Sequence, residues 1–305
     1  MSPKARIDLL ILDDRGAILI TVTWIVLIIS LLATSALVFA LIERRTLTAV
    51  EREYQSQLLA DSAVEIFMHR LFYDEEKQVF RSGALEVQGH SIDIEVVYEK
   101  GKINLNRARA ELLSALFVAN GVDETEALDL AERVIDWRDA DDTTASGGVE
   151  NDVYASSGLP YGPRNGPFES VGELQHVFGM SRDIYFCVLP SITVYSQNQN
   201  VDWDFSDAST LDVLRWAYLR GWQNVGWPDP DALETKQNLM GARSDLGGQS
   251  LTLRIILNED GDQPNKQYSM VIRYKSISNR SGYGVLKPLT PYSENNANCG
   301  IFPQG

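Results

Sequence analysis

The sequence predicts an α+β protein, in which a long N-terminal helix packs on a small antiparallel sheet that carries a large helical insertion. Three observations support this fold class. An uncharged apolar run occupies residues 17–42, segments with strand-like alternation lie near residue 95 and again after residue 250, and segments with helical periodicity separate them. Helices that interrupt a sheet in this way predict one fold with an insertion.

The apolar run from Ala17 to Ile42 is long enough to cross the hydrocarbon core of a bilayer, which takes about 20 residues. A secretory signal peptide differs, because its apolar stretch is shorter and its cleavage site follows that stretch. Here the processing point lies before the run, at Arg15-Gly16. A basic residue and a glycine before a retained helix are typical of the class III leader of type IV pilins and pseudopilins, cleaved between Gly16 and Ala17. An uncleaved signal anchor is the alternative that this segment leaves open.

The helix is expected to continue beyond the apolar run, because residues 43–72 contain neither glycine nor proline. Apolar side chains in this part recur near helical spacing, which predicts an amphipathic helix. They are Leu47, Val50, Tyr54, Leu58, Ala63, Ile66, Phe67 and Leu71.

The strands follow from period-two alternation. Ile92, Ile94, Val96 and Tyr98 alternate before a turn at Gly101, and a hairpin is predicted from 251–257 and 268–277, with Gly261 and Pro264 in its loop. Helices are predicted within 110–121, 124–139, 170–179 and 209–222.

These elements divide the chain into consecutive segments of different composition. The segments are a leader at 1–16, a transmembrane helix at 17–42, the rest of the helix with the first strands at 43–103, a first helical insertion at 104–196, a second helical piece at 197–247, C-terminal strands at 248–279 and a tail at 280–305. The tail is rich in proline, asparagine and glycine, which predicts irregular structure.

The charge balance argues against nucleic acid as a partner. The formal net charge is −15, and residues 104–196 carry 6 Lys and Arg against 15 Asp and Glu, so 6 − 15 = −9. Phosphate binding needs a basic surface, and the sequence offers no basic patch. The two cysteines, Cys187 and Cys299, can form one disulfide at most, and Cys187 lies in an apolar stretch that predicts a buried position.

One segment has the composition of a metal site. Asp139, Asp141, Asp142, Glu150 and Asp152 crowd a loop that contains glycine. Calcium takes six to eight oxygen ligands, several of them carboxylates. With Asp139 as position 1, Asp141 stands at 3 and Glu150 at 12 of an EF-hand loop, but Thr144 replaces the glycine needed at position 6. We expect a calcium site there, and a solvated acidic loop is the alternative.

The helical segments after residue 103 also have the order of helix-hairpin-helix units of the sterile-alpha-motif-like kind. Asn104 or Asn106 can cap a helix that begins near Ala108. The glycine pair of a DNA-binding hairpin is replaced by Asn120-Gly121-Val122. The sequence contains no nucleophile elbow, P-loop or zinc-type Cys/His spacing. A helical scaffold without catalysis is therefore predicted.

Taken in order, these motifs resemble the minor pseudopilin K family of type II secretion (GspK). They are the Arg15-Gly16 junction, the apolar helix, KINLN at 102–106, DWRDADD at 136–142, GVENDVY at 148–154 and GPFESVGELQHVFGM at 166–180. The resemblance covers about residues 14–196 and implies a pilin-like fold with a helical insertion. It also implies cleavage and N-methylation by prepilin peptidase, calcium in the insertion, and the minor pseudopilins I and J as partners. The implied location is the inner membrane of a Gram-negative bacterium, with a single pass and the C-terminal part in the periplasm.

The implied role is non-enzymatic, namely priming and capping the tip of the pseudopilus. Pilins generally carry a glutamate five residues into the mature helix, which can pair with the terminal ammonium of a neighbouring subunit. Here that position is Thr21, and a subunit with nothing above it has no ammonium to neutralise. Two alternatives remain, a membrane-anchored DNA receptor of the ComEA type and a minor pilin of a type IV pilus.

Overall fold

The structure is a computed structural model that describes residues 14–73, 82–140, 149, 151–222, 248–258, 265–277, 280–291 and 299. The chain divides into two compact units, Met1–Leu58 and Leu59–Gly305. The first unit contains the apolar part of the N-terminal helix. The second contains a sheet and the helices inserted into it.

The N-terminal helix α1 runs from Asp14 to Tyr73. It contains one candidate membrane span by length and composition, within Ile18–Leu71, and none of the apolar window that defines this span is buried. A helix of this length rises about 1.5 Å per residue, so the apolar run alone matches a bilayer core of about 30 Å. Gly16 and Ala17 lie in the first turn of this helix.

A five-stranded antiparallel sheet forms the first part of the second unit. Its strands are β1 (Ser82–Val87), β2 (His90–Tyr98), β5 (Ser250–Leu257), β6 (Lys266–Ile277) and β7 (Arg280–Pro291), in the order β1-β2-β5-β6-β7. Strands β2 and β5 are neighbours, and Tyr98 pairs with Leu251 at the end of β2. The polypeptide between these two strands therefore leaves and re-enters the sheet at adjacent positions.

The predicted alternation produces the core of this sheet, here called the sheet core. It combines alternate residues of the strands with one face of α1. Its members include Ile92, Ile94, Val96, Tyr98, Leu251, Leu253, Ile255 and Leu257 from the strands, and Ala60, Ala63, Val64, Phe67 and Met68 from α1. The predicted α+β class, with a helix packed on an antiparallel sheet, is confirmed.

The inserted polypeptide is mostly helical. Its helices are α2 (Ala110–Ala119), α3 (Glu124–Arg138), α4 (Asn151–Ser156), α5 (Arg182–Val188) and α6 (Ala208–Leu219). Two short parallel strands, β3 (Ile103–Asn104) and β4 (Ile192–Thr193), close its base. Turns of 3-10 helix lie at Glu99–Gly101, Val171–His176, Leu189–Ser191 and Trp203–Phe205.

The insertion has a second core, here called the insertion core. Leu113, Leu116 and Phe117 of α2 are fully buried in it, as are Ala131 and Val134 of α3. Capping fixes the starts of the helices, because Asp123 accepts a hydrogen bond from the amide of Thr125 and Asp207 accepts one from the amide of Thr210. The described insertion thus folds around its own apolar centre.

Two sequence predictions of elements need correction, and a third lies outside the described residues. Residues 280–291 form strand β7, although the tail from 280 to 305 was expected to be irregular. Proline and glycine are tolerated there because β7 is an edge strand, where a missing amide breaks no ladder on the outer side. The segment 170–179 forms a 3-10 turn at Val171–His176 rather than an α-helix. The hairpin loop with Gly261 and Pro264 lies outside the described residues.

Candidate functional site

The acidic loop begins directly after α3 and ends at α4. Asp139 follows the last residue of α3 and is partly buried, whereas Asp152 lies in the first turn of α4 and is exposed. The amide of Val153 donates to Oδ1 of Asp152 at 2.9 Å. Asp141, Asp142 and Glu150 lie outside the described residues. The predicted calcium site stays a prediction, because the described part of the chain holds only the two ends of the loop.

Helix α3 carries two more carboxylates close to the acidic loop, Glu132 and Asp136, which the sequence pattern did not select. Asp136 lies one turn before the loop and is only 1% exposed. Burial, and then the nearby carboxylates of Asp136 and Glu111, raise the pKa of Glu132. Sequence reasoning missed Asp136 because its burial depends on the packing of α3 against the insertion core. A cation at the C-terminal end of α3 would relieve part of this repulsion.

Aromatic rings line the insertion beside the loop. The Trp137 ring lies 6.3 Å from the ring of Tyr154 and 6.1 Å from that of Phe168. The Tyr154 hydroxyl accepts a hydrogen bond from the amide of Phe178 at 2.8 Å, and burial raises the pKa of Tyr154 to about 12. The start of α4 is therefore attached to the insertion core through Tyr154.

The first unit carries an exposed apolar stripe after the membrane span. Leu47, Val50, Tyr54 and Leu58 expose between 47% and 68% of their surface. Single exposed apolar residues are normal, but four at helical spacing mark an interaction surface. Of the other residues in the predicted apolar face, Ala63 and Phe67 are buried in the sheet core, while Ile66 is 38% exposed.

Thr21 lies within the apolar run, five residues into the mature helix if cleavage occurs at Gly16. Its hydroxyl donates to the carbonyl of Ile18 at 2.8 Å, so its proton is satisfied within the helix. The hydroxyls of Thr23 and Ser30 also donate to carbonyls of the preceding turn. None of these groups carries a charge that could neutralise an ammonium.

The KINLN motif has a role that the sequence did not predict. Helix α2 begins at Ala110, after Arg109, and neither Asn104 nor Asn106 caps it. Instead, the Asn104 amide donates to the carbonyl of Ser196 at 2.7 Å. Asn106 donates to the carbonyl of Phe168 at 2.9 Å and accepts from the amide of Phe168 at 2.7 Å. Both side chains therefore join distant segments of the insertion.

The turn between α2 and α3 occupies the place of the DNA-binding hairpin. Gly121 adopts a left-handed conformation with φ of 90° and ends α2. Asp123 then caps α3, and hydrogen bonds from Thr125 lower the pKa of Asp123. Glu124 and Glu126 lie in the first turn of α3, where they pair with Arg220 and Arg133. A carboxylate at this turn disfavours contact with phosphate, and the absence of a nucleic-acid partner stays a prediction.

A disulfide joins the insertion to the C-terminal tail. Cys187 in α5 is bonded to Cys299, with 5.3 Å between their Cα atoms and a sequence separation of 112. Cys187 is half-buried, and its sulfur is held in the disulfide rather than free to act as a nucleophile. The bond closes a loop that contains α6 and the last three strands of the sheet. Bonds of this kind persist in oxidising compartments.

Comparison with known proteins identifies the inserted region. Residues 93–197 match a family model described as type II secretion system (T2SS), protein K. The type II secretion system protein K of Pectobacterium carotovorum subsp. carotovorum is 27% identical over 187 residues, which cover 53% of this chain and 55% of that protein. A protein of Escherichia coli strain K12 that bears the same protein K name is 31% identical over 98 residues, 30% of each chain. The chain thus spans about half of the first relative and less than a third of the second.

A solved structure has a similar fold over most of this chain. It is the crystal structure of the GspK-GspI-GspJ complex from the enterotoxigenic Escherichia coli type 2 secretion system, with a TM-score of 0.55, 20% identity, and coverage of 81% of this chain and 99% of that chain. At this identity the likeness concerns the fold. Together with the matched residues 93–197, it confirms the resemblance to the protein K family that the motifs indicated.

Proposed function

We propose that this chain is a non-enzymatic minor pseudopilin that primes and caps the tip of a type II secretion pseudopilus, and so supports protein export across the outer membrane. One observation carries the proposal. Most of a region that matches the protein K family lies between the neighbouring strands β2 and β5 of a sheet that packs on the C-terminal part of α1. Such an insertion adds bulk to one subunit, and bulk at one end of a subunit blocks further stacking.

The apolar run supports anchoring in the inner membrane, with the C-terminal part in the periplasm. Its side chains are exposed in the first unit, where a bilayer would cover them. The disulfide between Cys187 and Cys299 also favours an oxidising compartment such as the periplasm.

Processing is the most direct test of this function. When the full chain is co-expressed with a prepilin peptidase, intact mass measurement is expected to give a mature protein that begins at Ala17 with a methylated N-terminus. A Gly16→Leu variant is the control and is expected to remain full length. Recovery of the native chain only with Gly16 retained would contradict the pseudopilin function.

The proposed partners are the minor pseudopilins I and J. The solved structure of similar fold is a complex of proteins with these names. The exposed stripe of Leu47, Val50, Tyr54 and Leu58 offers a helical surface that such partners can cover. Full-length chains co-expressed and extracted in detergent are expected to form a 1:1:1 complex.

The stripe can be tested with a matched pair of variants. Tyr54→Ala removes an exposed ring from the stripe, whereas Gln55→Ala changes the adjacent exposed residue outside it. We expect Tyr54→Ala to weaken co-purification of I and J and Gln55→Ala to leave it unchanged.

Thr21→Glu is expected to be tolerated, because a tip subunit has no ammonium above it. Crosslinks that place this chain repeatedly along the fibre shaft, with subunits on both sides, would contradict the tip position.

Calcium is the proposed ligand of the acidic loop, held by Asp139, Asp141, Asp142, Glu150 and Asp152. The donor set suits a hard cation, and the negative charge along α3 favours one. Calcium at about 100 times its dissociation constant is expected to stabilise the native chain by about 2.7 kcal/mol. Magnesium is expected to do less, because it dehydrates reluctantly.

Thermal unfolding of the full chain in detergent, with calcium or with chelator, tests this proposal. Asp141→Asn is expected to abolish the calcium-dependent rise in Tm. Asp183→Asn changes an exposed aspartate in the first turn of α5 and is expected to retain it. Identical melting curves of the native chain with calcium and with chelator would identify the segment as a solvated loop.

A further inference from the structure

The 3-10 turn Glu99–Gly101 lies where the chain leaves β2 for the insertion. All three of its residues are buried. More than half of the buried polar side chains in the described residues surround it or follow it within the base of the insertion. They are Glu99, Lys100, Asn104, Thr193, Ser196, Ser206, Ser250 and Thr252. Buried polar groups are nearly always hydrogen bonded, so this cluster indicates specific polar contacts at the base of the insertion.

Glu99 connects the sheet to the insertion. Its Oε1 accepts a hydrogen bond from the Thr252 hydroxyl of β5 at 2.5 Å, and its Oε2 accepts one from the Thr193 hydroxyl of β4. The Lys102 ammonium lies 3.3 Å from Oε1. A buried carboxylate is tolerated only when its oxygens are satisfied in this way. The same carboxylate is therefore bound to a strand of the sheet and to a strand of the insertion.

Lys100 connects the turn to a different segment of the insertion. Its Nζ lies 3.1 Å from Oδ2 of Asp202 and 3.4 Å from the centre of the Phe205 ring. Its carbonyl accepts a hydrogen bond from the amide of Asp202 at 2.9 Å. The pair is mostly buried, and the aromatic face adds a cation–π contact.

Gly101 allows this second segment to approach the turn. A Cβ at this position would overlap the carbonyl group of Phe205 and would lie 2.8 Å from the amide nitrogen of Ser206. The carbonyl of Gly101 accepts a hydrogen bond from the Ser206 hydroxyl at 2.8 Å. Only glycine fits between the turn and this backbone.

We propose that the turn Glu99–Gly101 is a rigid junction that fixes the insertion in position on the five-stranded sheet, with Glu99 as the positioning residue. Each of its three residues engages a different neighbour: β4 and β5 through Glu99, the side chains of Asp202 and Phe205 through Lys100, and the backbone after Phe205 through Gly101. The insertion and the sheet consequently move as one body. This inference concerns the mechanics of the second unit and is independent of the role proposed above.

Native-state hydrogen exchange of the full chain in detergent tests the junction. Glu99→Gln keeps the shape of the side chain but replaces one carboxylate oxygen by an NH2 group. That group cannot accept the hydrogen bond that the Thr252 or the Thr193 hydroxyl donates to Glu99. Peptides that contain the amides of Leu105, Tyr195 and Asp202 report on the junction, since each of these amides is hydrogen bonded to β4 or to the turn. We expect their exchange to accelerate about tenfold, because a hydrogen bond to a charged group is lost. Peptides from α2 and β6 are expected to exchange as in the native chain.

Glu95→Gln is the matched control. Glu95 lies in β2, four residues before Glu99, and it pairs with Arg254 of β5 at 3.1 Å, within the sheet. We expect this control to leave exchange at the junction unchanged. Unchanged exchange in Glu99→Gln, or equal acceleration in α2, β6 and the junction, would overturn the proposal.

Thr252→Val is a second variant for the same hydrogen-exchange measurement, in case Glu99→Gln does not fold. It removes the hydroxyl on the sheet side and retains the carboxylate and its partners in the insertion. We expect the same pattern of exchange with a smaller acceleration, about threefold. Acceleration confined to β5 and β6, without the reporters in the insertion, would also overturn the proposal.

Discussion

The sheet core and the insertion core of the second unit are built by different means. In the sheet core, alternate residues of paired strands face one helix, so nearly every contact follows from period two. The insertion core gathers short helices and turns whose relative positions depend on polar side chains such as Asn104 and Asn106. A regular core therefore needs few polar contacts, whereas an irregular one depends on them for its geometry.

Phe117→Ala is expected to cause the largest loss of stability, and it tests how tightly the insertion core is packed. Phe117 is fully buried in α2, and its truncation is expected to cost about 3–5 kcal/mol of unfolding free energy. Urea unfolding followed by tryptophan fluorescence measures this cost. Leu128→Ala on α3, where the side chain is 47% exposed, is the control and is expected to change stability by less than about 1 kcal/mol. A loss similar to that of the control would contradict a tightly packed insertion core.

Removal of the disulfide between Cys187 and Cys299 is expected to give the second-largest loss of stability. Cys187→Ser is expected to destabilise the native chain by about 2–4 kcal/mol, because the bond closes a long loop of the unfolded chain. The measurement is urea unfolding under oxidising conditions. Cys187→Ser/Cys299→Ser is expected to match the single variant, and additive losses would show that the two sulfurs act separately.

Asn106→Ala tests whether polar bridges determine the geometry of the insertion. It removes one donor and one acceptor that bind the backbone of Phe168, and is expected to cost about 1–3 kcal/mol. Asn106→Asp retains the acceptor for the Phe168 amide but turns a carboxylate oxygen toward the Phe168 carbonyl, so it is expected to cost at least as much as the alanine. Equal stability of all three chains in urea unfolding would assign the insertion geometry to apolar packing alone.

Tyr154→Phe is expected to cause the smallest loss of stability, and the size of this loss depends on pH. The folded pKa of Tyr154 is about 12, above the unfolded value of about 10, so the native chain loses stability as pH rises through this window. Below pH 10 the variant is expected to be less stable, because the Phe178 amide loses its acceptor. The difference should narrow between pH 10 and 12, as measured by urea unfolding at fixed ionic strength. A difference independent of pH would place the hydroxyl in contact with solvent.

The contrast between the cores also explains how much the sequence could predict. Strands β2, β5 and β6, and helices α2, α3 and α6, were predicted because periodicity is local and survives packing. The edge strand β7 was missed because its glycines and prolines indicate turns except at an edge.

The junction could not be predicted, because Glu99 meets its two hydroxyl partners at sequence separations of 94 and 153. No local sequence pattern predicts contacts between residues that lie so far apart in the chain. Asn104 and Asn106 had the spacing of helix caps, and only the fold shows that they bridge segments instead. The ligand set Asp139, Asp141, Asp142, Glu150 and Asp152 stays a prediction, and the burial of the nearby Asp136 depends on tertiary packing that no local pattern indicates.

The pairing of Tyr98 with Leu251 has a consequence for protein engineering. Seen from the sheet, the whole insertion is an oversized hairpin loop, since the strands it connects are antiparallel neighbours. An Asn-Gly dipeptide between these two residues would form a type I′ turn that suits the twist of the flanking strands. The resulting miniature would keep every strand of the sheet core and discard the insertion core, and so would separate the scaffold from the module that it carries.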